Sequence, residues 1–200
     1  IQGVAGSGKS VIIRTIAKII RDMFECHDTV LVAAPTGTAA FNIGGETIHR
    51  SFAVPVGSNY TKMSTQTKEN LRQRLARLLC LIIDERSMIS SAVLARAIGN
   101  VKSYCHGGSD VASHCNEDCG GIPIILLFGD DLQLPPVDAY PAYEYMNNAT
   151  TIKRGADDRT RGLEPFEHFS REVMKLEKSR HQDENDTDMM EIQKRSRNGQ

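Results

Sequence analysis

The 200-residue sequence predicts an α/β protein built on a doubly wound, mostly parallel sheet. Short apolar runs at 29–34, 79–83 and 122–128 have the length and composition of buried parallel strands. Segments with helical spacing of apolar residues separate these runs, as in successive strand–helix–strand units. Acidic residues follow two of the runs, Asp84 directly and Asp130 after one glycine. The carboxyl edge of such a sheet is where ligands bind.

The first part of the chain is expected to begin at the end of a strand. Residues 1–2 are all that is present of that strand, so the sequence looks truncated at its N-terminus. A helix follows, with a predicted buried stripe at spacings of four, three and four: Ile12, Ile16, Ile19 and Met23. After the strand at 29–34, residues 35–40 are expected to enter a short helix, and residues 44–49 to form a second turn.

The second part continues the alternation. Residues 58–67 are polar and are expected to form an exposed loop. Two amphipathic helices flank the strand at 79–83, and their apolar residues are Leu71, Leu75 and Leu78 before it, and Val93, Leu94, Ala97, Ile98 and Val101 after it. We expect a long loop at 104–121, a last short strand at 173–176 and the start of a helix at 189–197.

The composition limits the classes of function. Hydrophobic residues make up 40% of the chain and charged residues 24%, as in ordinary globular proteins. The apolar runs are far shorter than a membrane span, so no membrane association is predicted. A formal net charge of −1 argues against a protein that coats nucleic acid by charge alone, although a local basic groove is compatible with it. The five cysteines lack a framework spacing and are expected to be reduced thiols in an intracellular protein.

The stretch Gly3-Val4-Ala5-Gly6-Ser7-Gly8-Lys9-Ser10 matches the phosphate-loop pattern G-x-x-x-x-G-K-[ST]. Its glycines let the backbone curl so that successive N–H groups point at an anion. In this pattern the lysine reaches the β- and γ-phosphates, and the Ser hydroxyl holds Mg²⁺. The candidate cofactor-binding residues are therefore Gly3, Gly6, Ser7, Gly8, Lys9 and Ser10.

Two further segments have the chemistry that such a site requires. The acidic pair Asp84 and Glu85 follows a buried strand, so that one carboxylate can hold Mg²⁺ and the other can deprotonate an attacking water. A turn with two solvated acids is the alternative. Gln133 follows the third apolar run, where it can contact the γ-phosphate and sense its loss. Taken alone, that residue would be interpreted as a surface glutamine.

Five motifs occur in one order: Gly3–Ser10, Ala34–Ala40, Thr47–His49, Asp84–Met88 and Gly129–Val137. Together they resemble the motifs of the PIF and RecD-type DNA helicases of superfamily one, which run 5′ to 3′. The resemblance covers residues 3–137 and extends more weakly to about residue 199. It implies the RecA-like fold of a P-loop NTPase and an ATP-dependent DNA helicase in repair, recombination or genome maintenance. ATP and Mg²⁺ are the implied cofactors, and single-stranded DNA is the implied partner.

The resemblance also implies roles for individual residues. Lys9 and Ser10 match the phosphate and Mg²⁺ ligands, and Gln133 matches the γ-phosphate sensor. Asp84 matches the metal-binding acid and Glu85 the catalytic base. In this family, the segments that line the single-stranded DNA match Pro35, Thr36, Gly37, Thr38 and His49 of this sequence. Loop N–H groups and hydroxyls of this kind contact backbone phosphates without reading bases.

The C-terminal part resembles the family more weakly. Arg180 matches a γ-phosphate arginine, although His181 separates it from the glutamine that the family usually has next to it. The resemblance assigns residues 1–175 to the first RecA-like domain and 176–200 to the connection with a second one. An intracellular location is expected, with the nucleus and the mitochondrion both open.

Two features depart from the family. Arg86 stands where the family usually has a small or apolar residue, and it either perturbs Glu85 or points to solvent. Possible zinc ligands cluster in one segment without a recognised finger spacing, so a zinc site and a flexible loop are both open: Cys105, His106, His114, Cys115 and Cys119.

Two other functions compete with the helicase interpretation. One is a degenerate, mobile-element-derived fragment that binds nucleotide or DNA without turnover. The other is a small-molecule kinase with a phosphate loop. The intact Lys9, Asp84, Glu85 and Gln133 argue against the first, and the 35–40 and 133–136 segments have no role in the second.

Overall fold

The computed structural model of the chain describes residues 1–56, 62–105, 118–130, 133–136 and 172–176. The strands in these segments are β1 (Gln2–Gly3), β2 (Val30–Ala34), β3 (Glu46–Thr47), β4 (Cys80–Ile83), β5 (Ile124–Leu127) and β6 (Lys175–Leu176). The α-helices are α1 (Lys9–Phe24), α2 (Gly37–Ile43), α3 (Ile48–Ser51), α4 (Thr65–Leu75) and α5 (Ser91–Tyr104). Short 3₁₀ turns cover His27–Thr29, Arg86–Met88 and Asp118–Gly121.

All strand pairs between the described residues are parallel. Four strands pair in the order β3-β2-β4-β5, and β1 pairs with β6. A parallel bridge from Gln2 to Gly129, just beyond β5, sets β1 beside the larger sheet. The resulting order is β3-β2-β4-β5-β1-β6. The predicted parallel α/β architecture is therefore confirmed.

The sheet is buried on both faces, which explains the continuous apolar runs of its strands. Side chains alternate between the faces because a strand has a period of two. One face packs with α4 and α5 and contains Leu31, Ala33, Leu81, Ile83 and Leu127. The other packs with α1 and α2 and contains Val30, Val32, Ala34, Cys80, Ile82 and Phe128. Helices on both faces make the sheet doubly wound, as predicted.

The predicted buried stripe of α1 is wrong in its second half. Ile19 and Met23 are 51% and 73% exposed, whereas Ile13 and Ala17 are buried. Ile12, Ile16 and Ile20 pack at the edge of that core. The helix carries two overlapping apolar stripes, and contact with the sheet selects the one that contains Ile13.

The segment predicted as a turn at 44–49 contains regular structure. The two-residue strand β3 pairs in parallel with Ala33 and Ala34 of β2, and α3 follows it directly. Gly44 ends α2 with φ 68°, and a Cβ at Gly45 would lie 2.4 Å from the Val32 carbonyl oxygen. These two glycines therefore let the chain reverse close against β2.

Other boundaries differ by a few residues. α4 begins at Thr65, inside the predicted loop at 58–67, and ends at Leu75. Leu78 lies beyond that helix and is nevertheless buried. The last strand is present as β6. The segments 106–117 and 189–197 lie outside the described residues. Within the described part of the chain, no helix is both long and apolar enough to cross a membrane.

Candidate functional site

The sequence motifs meet at the carboxyl edge of the sheet. Ala34 at the end of β2 pairs with Thr47 at the end of β3. Ile83 at the end of β4 pairs with Ala33 and with Leu127. Since the strands are parallel, the segments that follow them emerge side by side. The Gln2–Gly129 bridge adds the phosphate-loop segment to the same edge.

The phosphate loop curls through two glycines that have positive φ angles. Gly6 has φ 76° and Gly8 has φ 91°, and Gly8 directly precedes α1. The buried Lys9 ammonium donates to the carbonyl oxygens of Gly3 at 2.6 Å and Val4 at 3.1 Å. An ammonium has three protons, so one more donor remains for an anion. The loop and the helix N-terminus together suit a phosphate group.

Ser7 packs directly over Gly3. A Cβ at Gly3 would lie 2.4 Å from Ser7 Oγ, so a side chain there would displace the hydroxyl. Ser7 Oγ is buried and has no hydrogen-bond partner among the described residues. Ser10 lies half-buried in the first turn of α1. The loop thus offers a lysine and hydroxyl groups to a bound anion.

The acidic pair lies beside this loop. Asp84 is only 4% exposed, and its Oδ1 accepts a hydrogen bond from the Glu85 N–H at 2.9 Å. Burial raises the pKa of Asp84, against the lowering effects of that hydrogen bond and of Lys9. Burial and the charge of Asp84 raise the pKa of Glu85, with Lys9 opposing and Asp130 adding to the shift. A cation placed between these carboxylates would relieve both effects.

Glu85 has the features expected of a base beside the phosphate loop. Its Oε2 is buried and has no hydrogen-bond partner within the described ranges. Its backbone is left-handed, with φ 51° and ψ 46°. Mg²⁺ is commonly held by one or two carboxylates together with substrate phosphates. The arrangement of Lys9, Ser10, Asp84 and Glu85 therefore fits a Mg²⁺-bound nucleoside triphosphate.

The segment after β5 contains Asp130, which the sequence analysis did not assign to the site, and Gln133, which it did. Asp130 is close enough for its charge to raise the pKa of Glu85. Gln133 lies half-buried three residues on, and its N–H donates to the Asp130 carbonyl oxygen at 3.0 Å. Arg86 is 5% exposed, so the solvent-facing alternative is wrong. Its stem packs on Gly129, just beyond β5, and no local sequence pattern indicates this contact.

The segments predicted to contact single-stranded DNA lie together and are shaped by helix caps. Thr36 Oγ1 caps α2 by accepting from the Ala39 N–H at 3.3 Å. Thr47 Oγ1 caps α3 by accepting from the Arg50 N–H at 3.4 Å. A capping hydroxyl keeps its own proton and can donate it to a phosphate oxygen. The flanking predicted contacts are at least partly accessible: Pro35, Gly37, Thr38 and His49.

Two predictions cannot be compared with the structure. Arg180 lies outside the described residues, as do His106, His114 and Cys115 of the candidate zinc cluster. Cys105 and Cys119 are described and are buried in the core. Within the described ranges, no group of three or more His, Cys, Asp or Glu side chains is arranged to hold a metal ion.

Comparison with known proteins identifies a family for this chain. The family model for the PIF1-like helicase matches residues 1–197. The ATP-dependent DNA helicase PIF1 of Emericella nidulans is 34% identical over 139 residues, which is 68% of this chain and 17% of the relative. PIF1 of Candida albicans is 35% identical over 147 residues, which is 71% of this chain and 15% of the relative. The chain therefore spans less than a fifth of these relatives.

Solved structures agree with the sequence relatives. The crystal structure of Bacteroides Pif1 bound to ssDNA has a TM-score of 0.65 and 27% identity, and the match covers 100% of this chain and 42% of that one. Bacteroides Pif1 in complex with ADP-AlF3 and ssDNA has a TM-score of 0.64, again at 27% identity, over 98% of this chain and 41% of that one. With a family match across nearly its whole length and the same fold in solved relatives, the chain belongs to the PIF1-like helicase family.

Proposed function

We propose that residues 1–175 are the first RecA-like domain of an ATP-dependent DNA helicase that moves 5′ to 3′ along single-stranded DNA. Residues 176–200 would lead to a second RecA-like domain. The observation that carries the proposal is the meeting of three segments at one sheet edge. These are the phosphate loop with Lys9, the buried pair Asp84 and Glu85, and the capped segment Pro35–Thr38.

Each residue of the site has a distinct task in this proposal. Lys9 binds the β- and γ-phosphates, while Ser10 and Asp84 hold Mg²⁺, which neutralises phosphate charge when bound. Glu85 orients water and accepts its proton as the water oxygen bonds to the γ-phosphorus. The bond from that phosphorus to the leaving ADP oxygen breaks. Gln133 contacts the γ-phosphate, and Arg180 adds positive charge there.

The DNA contacts are proposed to be to the backbone rather than to the bases. The accessible groups of Pro35–Thr38 and His49 are main-chain N–H groups, hydroxyls and an imidazole. Such groups bind phosphates without reading sequence. Relatives support DNA as the partner, since Bacteroides Pif1 has been solved with ssDNA. We infer action inside the cell, in the nucleus or the mitochondrion, where DNA is available.

The decisive experiment measures ATP hydrolysis by this chain with and without single-stranded DNA. We expect slow hydrolysis that single strands accelerate, and its loss in Lys9→Ala. Lys18→Ala is the matched control, because Lys18 is an exposed lysine of the same helix that pairs with Asp22. ATP binding without any turnover would instead identify a degenerate domain. Turnover that responds to a small-molecule acceptor and not to DNA would identify a kinase.

A further inference from the structure

The backbone of Glu85 adopts a conformation that side chains disfavour. Its φ of 51° and ψ of 46° lie in the left-handed region, where a Cβ is crowded by the following carbonyl. Three other non-glycine residues in the described segments have positive φ: Glu25, Ala53 and Cys119. Such strain persists where surrounding contacts fix it, and it concentrates at functional sites. The contacts that hold Glu85 therefore identify what positions its carboxylate.

Backbone hydrogen bonds fix Glu85 from three directions. Its N–H donates to Asp84 Oδ1 at 2.9 Å, and its carbonyl oxygen accepts from the Met88 N–H at 3.0 Å. The third bond is the only one of these that reaches another strand segment. In it, the Arg86 N–H donates to the Phe128 carbonyl oxygen at 2.9 Å. Arg86 thus ties the turn after β4 to the end of β5.

The Arg86 side chain strengthens this tie by packing on Gly129. A Cβ at Gly129 would lie 2.8 Å from Arg86 Cγ and 3.0 Å from Arg86 N, so only glycine admits this contact. Gly129 is itself fixed against the phosphate-loop segment. Its N–H donates to the Ile1 carbonyl oxygen at 3.2 Å, and its own carbonyl oxygen accepts from the Gly3 N–H at 3.1 Å. Arg86 therefore packs on a glycine whose main chain is hydrogen-bonded to the first residue of the phosphate loop, Gly3.

We propose that Arg86 is a positioning residue for Glu85. Two contacts of Arg86 hold Glu85 in the left-handed conformation beside the phosphate loop. Its buried stem packs on Gly129, and its main-chain N–H donates to the Phe128 carbonyl oxygen. This inference rests on the proposed function, because it gives Glu85 the work of a base.

The kinetic test compares Arg86→Ala with Arg86→Met in single-turnover hydrolysis of labelled ATP by this chain. Methionine keeps a Cγ on Gly129 and removes the charge. We expect Arg86→Ala to slow the chemical step by up to about 100-fold, as misplaced reacting groups do, with ATP affinity within about twofold of wild type. Because Arg86→Met keeps the contact of the stem with Gly129, it should retain more of the wild-type rate than Arg86→Ala. In the Glu85→Gln background, Arg86→Ala should cause no further loss. An equal loss in both backgrounds, or a parallel loss of ATP affinity, would overturn the proposal.

A second variant changes Gly129, the other residue of the contact with Arg86. Gly129→Ala puts a Cβ against Arg86 and should reproduce the defect of Arg86→Ala. Gly99→Ala is the matched control, because a Cβ at Gly99 meets nothing within 4 Å. If Gly129→Ala hydrolyses ATP at the wild-type rate, the contact does not position Glu85.

A structural measurement separates this inference from the proposed function. In a crystal structure of Arg86→Ala, we expect Glu85 to leave the left-handed region. An unchanged φ near 51° would overturn the positioning role even if the variant were slow. A wild-type chain that hydrolyses no ATP would overturn the proposed function, while the backbone of Glu85 in the variant would still decide whether Arg86 holds it.

Discussion

The main-chain N–H of Asp84 donates a hydrogen bond to the carbonyl oxygen of Ala33, 2.9 Å away. This bond lies where β2 and β4 end together. Glu85 follows Asp84 directly, just beyond β4, and Pro35 lies two residues after Ala33, just beyond β2. The acidic pair and the proposed DNA-contacting loop are therefore adjacent extensions of two paired strands. The proposed nucleotide site and the proposed DNA contact lie at neighbouring strand ends, and the two can be tested separately.

The proposed nucleotide site depends most directly on Lys9. We expect Lys9→Ala to abolish binding of Mg²⁺-ATP, because the β- and γ-phosphates would then face only backbone dipoles and hydroxyls. Isothermal titration with Mg²⁺-ATP measures this, with Lys18→Ala as the control lysine of α1. Unchanged affinity in Lys9→Ala would mean that the phosphate loop does not bind nucleotide in this way.

Glu85→Gln should separate binding from chemistry. The amide keeps the shape of the side chain and cannot accept a proton from water, which typically costs about 10²–10⁴ in rate. ATP affinity by titration should remain close to that of wild type. The rate is best followed in the presence of single-stranded DNA, where hydrolysis is expected to be fastest. Wild-type turnover in this variant would remove Glu85 from the mechanism.

The raised pKa of Asp84 predicts a pH-dependent stability effect in Mg²⁺-free solution. A carboxyl with a higher pKa in the folded state binds its proton more tightly there, so its ionisation destabilises the fold as pH rises. Asp84→Asn should therefore raise Tm at pH 7 by a few degrees, since 1 kcal/mol is worth about 2–4 °C in a domain of this size. The gain should shrink as pH falls towards the ordinary carboxyl pKa of about 4.

Thermal melts at several pH values check this effect. Asp22→Asn serves as the control, because Asp22 is exposed and pairs with Lys18 at 2.6 Å. We expect no stabilisation from that change. An Asp84→Asn variant that melts at or below the wild-type temperature at pH 7 would contradict the unfavourable burial of the Asp84 charge.

Sequence patterns predicted the positions of the main strands better than they predicted which side chains are buried. The apolar runs and the acids after them identified β2, β4, β5 and the carboxyl edge of the sheet, because a doubly buried strand has few other compositions. The two-residue β3 was predicted as a turn, because it is too short to show a pattern. Ile19 and Ile13 illustrate the opposite case. Both lie on stripes with helical spacing, and only contact with the sheet decides which is buried. Arg86 is similar, since no local pattern predicts that a charged side chain will pack on Gly129, which is distant in sequence.

Binding to single strands should be weak, tolerant of sequence and sensitive to salt. The contacts are to the backbone, and the chain is nearly neutral overall. We expect Thr38→Ala and His49→Ala each to weaken binding by about 2- to 10-fold, the usual range for one hydrogen bond.

Fluorescence anisotropy with a labelled oligonucleotide at several salt concentrations measures the affinity of each variant for single strands. Thr15→Ala is the control, because Thr15 is an exposed residue of α1 that bonds its own helix. Equal affinity for duplex and single strands would count against the interface.

This 200-residue chain alone is expected not to unwind DNA. It spans 42% of Bacteroides Pif1, and the proposed mechanism needs a second RecA-like domain to close on the γ-phosphate. An arginine supplied to that phosphate is worth about 10³–10⁵ in turnover in related motors, and the segment around Arg180 would need the second domain to direct it. Stepping also requires two DNA-gripping surfaces whose spacing changes with nucleotide. We therefore expect weak nucleotide binding, little ATP hydrolysis and no strand separation on a forked duplex with a 5′ tail. ATP-dependent unwinding that disappears in Lys9→Ala would show that the second domain is dispensable or that another copy of the chain replaces it.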